Sequence, residues 1–187
     1  MILPAVHFST PIALNSKLFS PSGEIVYGRI ASPLTTKEGR LWVRKALESS
    51  VKTVAIKEGL GSRAYLIYDN LSGSPKVQGK SSWVFSYVLL PLTNSIIELH
   101  SRVETTSASG QAIGESLQLV YRMDASEYSN IDMASGQLIH GKQTERVFYV
   151  PQDIPDGDFV IKIDGQAFRI TSVTPDKNLF RINCLGV

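Results

Sequence analysis

The sequence predicts a mainly β fold, an antiparallel β-sandwich or barrel-like domain with one short helix and extended arms and loops. Three observations predict it. Apolar and polar side chains alternate over short runs rich in β-branched and aromatic residues, which is the period of strands. Gly, Pro, Asn and Asp cluster between these runs as turn signals. Only one segment, residues 37–49, places apolar residues at helical spacing.

Length and composition predict a folded chain without covalent cross-links. Its 187 residues, 43% of them hydrophobic, suffice for one domain with a substantial core. Residues 1–23 are rich in Pro and Ser and are interpreted as an extended N-terminal arm, followed by a single β-rich domain over 24–187. The N-terminal residues do not have the basic region of a signal peptide, and we expect no membrane segment. Cys184 is the single cysteine, so no internal disulfide is expected.

The helix prediction rests on a capping box and on helical spacing. Thr35 and Glu38 have the spacing of a box in which each side chain satisfies a backbone N–H group of the first turn. Leu41, Trp42, Lys45 and Ala46 follow at helical spacing. Together they favour a helix over residues 37–49.

Strands are predicted for most of the remaining chain. The first covers Glu24–Ala31, and a turn at residues 58–62 separates the second from the third. Residues 91–94 are predicted to be the turn of a hairpin, because Pro and Asn lie there between two apolar runs. The second and third strands are predicted over residues 51–57 and 64–68. Three further strands are predicted over residues 83–90, 96–103 and 116–123.

The segment from about residue 105 to 114 is small and polar, and lies between two predicted strands. It is therefore either a long loop or the tip of an extended hairpin. Long loops in compact domains usually serve a function or are disordered. We regard this segment as a candidate contact with a neighbouring molecule.

The C-terminal residues 146–185 are predicted to form an antiparallel meander. Strands are expected over 146–150, 158–163, 167–173 and 179–185. The tight-turn dipeptide Asp164-Gly165 separates the second and third of these, and residues 175–178 form another turn. Alternation places Phe159, Ile161 and Ile163 on one face of their strand, with Phe168 and Ile170 on one face of its partner.

The sequence does not contain a recognisable catalytic, cofactor or metal motif. His7, His100 and His140 are isolated from one another, so we assign no metal ligand and expect each of these histidines to be a surface or rim residue. Cys184 alternates with Ile182 on the last strand, which favours a buried structural thiol. We therefore assign no catalytic, cofactor-binding or metal residue, expect no cofactor, and predict that the protein is not an enzyme.

Two segments contain incomplete versions of known ligand-binding motifs. Asp153, Asp156 and Asp158 around Gly157 have some of the carboxylates of a calcium loop, but the spacing lacks its remaining ligands, which favours a solvated turn. The segment Gly59-Leu60-Gly61 lacks both the third glycine and the following helix of a dinucleotide-binding turn.

A nucleic-acid surface was also considered. Basic residues and aromatic rings occur close together in the first half of the chain, and such a combination can hold a nucleic-acid backbone and stack its bases. Lysines on the wet faces of strands with aromatic residues in the core are the simpler interpretation. The residues concerned are Lys52, Lys57, Arg63, Tyr65, Tyr68, Lys76, Lys80 and Trp83.

Charge is unevenly distributed along the chain. Residues 124–187 hold nine Asp and Glu against six Lys and Arg, a formal charge of −3, and the total of +2 leaves +5 for the residues before them. A molecule with this polarity is suited to head-to-tail stacking against a neighbour of opposite charge.

The C-terminal segment resembles the closing part of the head–tail joining (head-closure) proteins of long-tailed phages. The shared pattern is an apolar strand, an acidic turn ending in Gly-Asp, a strand, a short turn, and an aromatic-containing strand that enters a Pro-Asp turn. In this chain these elements are residues 148–150, Gly157-Asp158, 161–163 with Asp164-Gly165, 168–173, and Pro175-Asp176. Residues 1–120 have no counterpart in that pattern.

The resemblance implies a neck connector subunit located in the virion and assembled in the host cytoplasm. Copies would form a homo-oligomeric ring between the portal-side adaptor and the tail proteins, and DNA would pass through the channel without sequence-specific binding. Another coat, matrix or tail-tube protein is the first alternative, and a carbohydrate- or nucleic-acid-binding β-module is the second.

Overall fold

The computed structural model describes residues 10–14, 24–31, 39–58, 61–71, 85–93, 96–128 and 145–186. All regular structure in these residues is β-strand, and every pairing between strands is antiparallel, so the predicted mainly β class is confirmed. The chain divides into two compact units. The first comprises Met1–Leu92 with Asp176–Leu179, and the second comprises Thr93–Pro175 with Phe180–Val187.

The first unit contains a closed antiparallel barrel of six strands in the order β1-β2-β3-β6-β5-β4. Closure gives every strand a neighbour on both sides, so the barrel has no free edge. Its strands are β1 (Thr10–Leu14), β2 (Ile25–Ala31), β3 (Gly39–Val43), β4 (Thr53–Glu58), β5 (Gly61–Leu71) and β6 (Phe85–Pro91).

Alternate side chains of the barrel strands fill its interior. In β3, Gly39, Leu41 and Val43 are buried, whereas Arg40, which lies between Gly39 and Leu41, is exposed. This alternation is the period of two that a strand requires. Ile12 of β1 and Leu89 of β6 are fully buried in the same cluster. Burial of such aliphatic side chains supplies the main stabilisation of the barrel.

The second unit is built on a seven-stranded antiparallel sheet in the order β8-β7-β11-β12-β13-β10-β9. One core covers its inner face, with Leu99, Phe148, Ile161, Ile182 and Cys184 among its fully buried members. The strands are β7 (Ile97–Thr106), β8 (Ala112–Met123), β9 (Ser126–Tyr128), β10 (Glu145–Val150), β11 (Phe159–Ile163), β12 (Gln166–Asp176) and β13 (Leu179–Gly186).

The helix predicted over residues 37–49 is wrong. Residues 39–43 form strand β3, which pairs with β2 and β6, and residues 44–50 are turn and irregular structure. The buried Leu41 and Val43 lie two residues apart, and this period of a strand prevails over the helical spacing that relates Leu41 to Lys45 and Trp42 to Ala46. Tertiary pairing thus overrides the local capping signal, whose residues Thr35 and Glu38 lie outside the described ranges.

The interpretation of residues 1–23 as an arm is wrong for residues 10–14. These form β1, which pairs with both β2 and β4, and Ile12 is fully buried. Pro11 lies near the start of β1, before the residues Ile12–Leu14 that pair with β4, and the start of a strand is a place where proline is tolerated. Residues 1–9 and 15–23 lie outside the described ranges.

The predicted hairpin at residues 91–94 is also wrong. Strand β6 pairs with β3 and β5 of the barrel, whereas β7 pairs with β8 and β11 of the sheet. Residues 92–93 therefore join the two units. A single domain was predicted over 24–187 because the chain length fits one domain, whereas the structure divides the chain into two compact units.

The C-terminal segment contains four strands at the predicted positions. Strand β11 pairs with β12 through the predicted Asp164-Gly165 turn, whose residues both have positive φ, as a tight hairpin turn requires. Strand β10 pairs with β9 and β13, so it does not adjoin β11 in the sheet. Among the described residues, no helix is long and apolar enough to cross a membrane.

Gly28 provides a test of barrel closure. It lies on the inner side of β2, where an added Cβ atom would be 2.6 Å from Ile12 Cδ1 and 2.7 Å from the carbonyl oxygen of Trp42. We expect Gly28→Ala to lower the free energy of unfolding by about 1–3 kcal/mol, because the overpacked barrel must shift its backbone. Chemical denaturation monitored by tryptophan fluorescence measures this change.

Gly114→Ala is the matched control. Its added Cβ atom would meet nothing within 4 Å. We expect this variant to change the free energy of unfolding by no more than about 1 kcal/mol, and in the stabilising direction. Equal effects of the two substitutions would contradict the close packing inferred at Gly28.

Candidate interaction surfaces

Strands β7 and β8 extend past the rest of their sheet as a two-stranded ribbon. Strand β11 pairs with β7 only from Glu98 to Ser101, and beyond Arg102 the described partner of β7 is β8 alone. All residues of this ribbon, defined here as Val103–Val120, are exposed except the half-buried Ser107. The segment near residues 105–114 is therefore the tip of an extended hairpin, one of the two alternatives predicted.

The ribbon exposes large apolar side chains. The exposed fraction is 67% for Ile113, 42% for Leu119 and 37% for Leu117. Leu117 lies opposite Arg102 and Leu119 lies opposite His100, so both side chains emerge on the same face of the hairpin. Val103 and Val120 are exposed as well. Large exposed apolar side chains that lie side by side, as Leu117 and Leu119 do, are typical of interaction sites.

Strand β8 is the outermost strand of the sheet, with β7 as its sole described neighbour. Within the described residues, its outer backbone groups therefore form an open edge, and natural sheets normally protect such edges with charges, prolines or covering segments. From Ala112 to Val120 this strand has one charged residue, Glu115, and no proline. An isolated two-stranded hairpin is marginally stable in water. Both properties favour a ribbon that becomes covered by a partner.

The same ribbon face carries two opposed carboxylates. Glu104 lies directly across from Glu115, a like-charge arrangement that destabilises a strand pair. Arg102 Nη1 is 3.5 Å from Glu115 Oε2, and its Nε is 3.6 Å from Asp158 Oδ2, so this cation is shared. Glu104 forms no ion pair with any residue in the described ranges. An approaching cationic group would relieve this repulsion.

A polar network lies at the base of the ribbon. His100 Nε2 is 3.1 Å from Glu98 Oε2, and Arg122 Nε donates to Glu98 Oε1 at 2.9 Å. The hydrogen bonds from His100 and Arg122 hold the pKa of Glu98 below its ordinary value. His100 is buried, so the prediction of a surface histidine is wrong here, and the other two histidines lie outside the described ranges.

The barrel carries a second exposed surface on the outer side of β2. Ile25 and Tyr27 are 60% and 62% exposed, and Arg29 follows on the same side of the strand. Arg29 is paired across the strands with Trp42, and its guanidinium carbon lies 5.9 Å from the centre of that ring. Arg40, also exposed, precedes Trp42 by two residues on β3. These five residues are called the β2 face.

The two units differ in formal charge. The barrel unit has twelve Lys and Arg against six Asp and Glu, a charge of +6, whereas the sheet unit has seven against eleven, a charge of −4. The difference in formal charge between the two units is therefore larger than the difference between the two parts of the sequence. Opposite fields of this kind guide association between molecules.

Among the residues with a nucleic-acid-binding pattern, the four whose side chains the structure describes are buried or already bonded within the chain. Tyr65 is buried in the barrel core, and Tyr68 donates its hydroxyl hydrogen bond to Asp176 within the same unit. Lys52 Nζ donates to the carbonyl oxygen of Asn178 at 3.2 Å, and Arg63 is exposed with a partner of its own. The side chains of Lys57, Lys76, Lys80 and Trp83 lie outside the described ranges.

The acidic loop and the cysteine have the environments predicted from the sequence. Asp153, Asp156 and Asp158 are exposed, and the described residues contain no group of three or more His, Cys, Asp or Glu arranged to hold a metal ion. Cys184 is fully buried, and this burial raises the pKa of its thiol to about 12. Such a thiol is protonated at neutral pH and is a poor nucleophile.

Sequence reasoning missed the β2 face. The signal was present, because Ile25, Tyr27 and Arg29 alternate with Val26 and Gly28, but alternation does not say which side of a strand faces the core. That assignment required the closed barrel. No protein-family model matches the chain, and no curated protein matches it.

The burial of Cys184 predicts its reactivity. We expect the native protein to react with a disulfide reagent such as DTNB at pH 8 at least about 100-fold more slowly than the protein unfolded in guanidinium, because access and ionisation are both suppressed. Absorbance of the released thiolate measures the rate. An added Ser109→Cys, at an exposed position of the ribbon tip, should react quickly in the native state. Rapid native labelling of Cys184 itself would contradict the assignment.

Proposed function

We propose that this chain is a non-enzymatic virion structural protein, a neck or head–tail connector subunit that forms a ring between the portal-side adaptor and the tail. The observation that carries the proposal is the ribbon Val103–Val120. It exposes apolar side chains, an open strand edge and an opposed carboxylate pair that a single copy leaves uncovered. A surface of this kind is suited to binding a neighbouring molecule and has no evident catalytic use.

Two further observations support assembly as the role. The two units have formal charges of opposite sign, +6 and −4, which favours contact between the barrel unit of one copy and the sheet unit of another. Strands β10–β13 have the element order of the head-closure pattern, including the Gly157-Asp158 turn and the tight turn at Asp164-Gly165. In this proposal DNA passes through the ring without sequence-specific contacts, and the protein is located in the virion.

Another coat, matrix or tail-tube protein would use the ribbon in the same way, so it differs from the connector in position within the particle. A ligand-binding module is less well supported. The three acidic residues of the 153–158 loop are exposed to solvent, and the proposed stacking residue Tyr65 is buried. No specific observation favours carbohydrate over nucleic acid for such a module.

Molar mass measured by size-exclusion chromatography with light scattering, over a wide concentration range, tests the proposal. We expect a closed oligomer that appears as rings in negative-stain images. The double variant Ile113→Lys with Leu117→Lys should raise the dissociation constant of the oligomer at least about tenfold, because two charges would have to be desolvated at the contact. Both positions are exposed, so folding should be unaffected.

The control variant adds the same two charges away from the ribbon. Gln152→Lys with Gln166→Lys alters exposed positions of the sheet unit and should assemble as wild type does. A wild-type protein that stays monomeric at every concentration would contradict the proposed function. An oligomer that survives both ribbon lysines would remove the observation on which the proposal rests.

A further inference from the structure

We propose that the ribbon of one copy docks face-on against the β2 face of the barrel of a second copy, so that copies join head to tail. This inference rests on the proposed assembly function and names the two surfaces that meet. The ribbon contributes the face that carries Leu117, Leu119 and the Glu104–Glu115 pair. The second copy contributes the outer side of β1–β2–β3 around Tyr27.

The apolar parts of the two surfaces correspond. Leu117 and Leu119 emerge side by side from the ribbon, and Ile25 and Tyr27 emerge side by side from β2, because in each strand the two residues are two apart. Sheets pack face to face through such alternate side chains at a separation of about 10 Å. Burial of these four side chains would remove exposed apolar groups of both surfaces from water.

The charged parts also correspond. Glu104 and Glu115 lie directly opposite each other on the ribbon, so two negative charges are held side by side. On the β2 face, Arg29 and Arg40 lie on neighbouring strands with Arg40 diagonal to Arg29 across the β2–β3 pair. Arg40, like Glu104, forms no ion pair with any residue in the described ranges. Two arginines can bind two carboxylates with paired hydrogen bonds, and would remove the like-charge repulsion of the ribbon.

A second copy of this chain would cover both the ribbon and the β2 face, whereas a nucleic acid or an unrelated basic protein would suit only one of these two surfaces. A nucleic acid would suit the arginines and aromatic rings of the β2 face, but it would be repelled by the carboxylates of the ribbon. An unrelated basic protein would suit the ribbon and leave the β2 face uncovered. Because the two contact surfaces differ, their association is heterologous, and such contacts close into rings or extend as filaments.

Charge reversal in separate copies tests the pairing. One variant carries Glu104→Lys with Glu115→Lys, and the other carries Arg29→Glu with Arg40→Glu. We expect each variant alone to assemble at least about tenfold more weakly than wild type, since like charges then meet at the contact. An equimolar mixture of the two should recover assembly, because each reversed ribbon then meets a reversed β2 face. Sedimentation velocity measures the three samples, and circular dichroism checks that each variant retains its strand content.

Disulfide trapping provides a second measurement that does not depend on the strength of assembly. Leu117→Cys in one copy and Tyr27→Cys in another should form a mixed intermolecular disulfide under mild oxidation, while the buried Cys184 stays unlinked. The matched control Gln118→Cys lies on the opposite face of the ribbon and should link to Tyr27→Cys at least about tenfold more slowly. Products are identified by non-reducing electrophoresis and peptide mass spectrometry.

Failure of the pairing is distinguishable from failure of the proposed function. A wild-type oligomer with no recovery in the mixture, or with Leu117→Cys linking only to itself, would overturn the head-to-tail contact and leave the assembly role intact. A wild-type protein that never assembles, and whose β2 face instead binds an oligonucleotide in a salt-dependent way, would overturn both proposals.

Discussion

The pairing of backbone groups along strands is the constraint on which the rest of this structure depends. In an all-β protein each strand needs a neighbour on both sides, or its N–H and C=O groups face solvent. The barrel meets this requirement by closure, with Gly28 allowing β2 to approach Ile12 and Trp42. The sheet unit does not, since β8 ends it with an open edge and continues past the core as a ribbon. The proposed function follows from this difference.

Electrostatics and apolar exposure act at the same places. The ribbon combines Leu117 and Leu119 with the Glu104–Glu115 pair, and the β2 face combines Tyr27 with Arg29. In the proposed contact, apolar burial would supply affinity, while the charges would set the orientation in which two copies meet. Because the barrel unit is positive and the sheet unit negative, the same polarity is present in the formal charge of each unit. Assembly through these surfaces should therefore weaken as salt concentration rises.

The sequence predicted local features better than long-range ones. The Asp164-Gly165 turn and the burial of Cys184 follow from the turn type and from alternation, and both are present. The helix near Leu41 was wrong because pairing with β2 and β6 overrides a local capping signal. The barrel strand around Ile12 was missed because its partners are distant in sequence. Of the interaction surfaces, the hairpin tip was anticipated, but which side of β2 faces outward required the closed barrel.

Hydrogen–deuterium exchange of the ribbon amides, measured as a function of protein concentration, tests most directly whether the ribbon is a contact between copies. We expect fast amide hydrogen exchange over residues 103–120 in dilute protein, since a two-stranded hairpin is marginally stable alone. At assembling concentrations we expect slower exchange there and at residues 25–29, with unchanged exchange at residues 161–163 of the sheet core. Ribbon exchange that is independent of concentration while oligomers form would contradict the proposed contact.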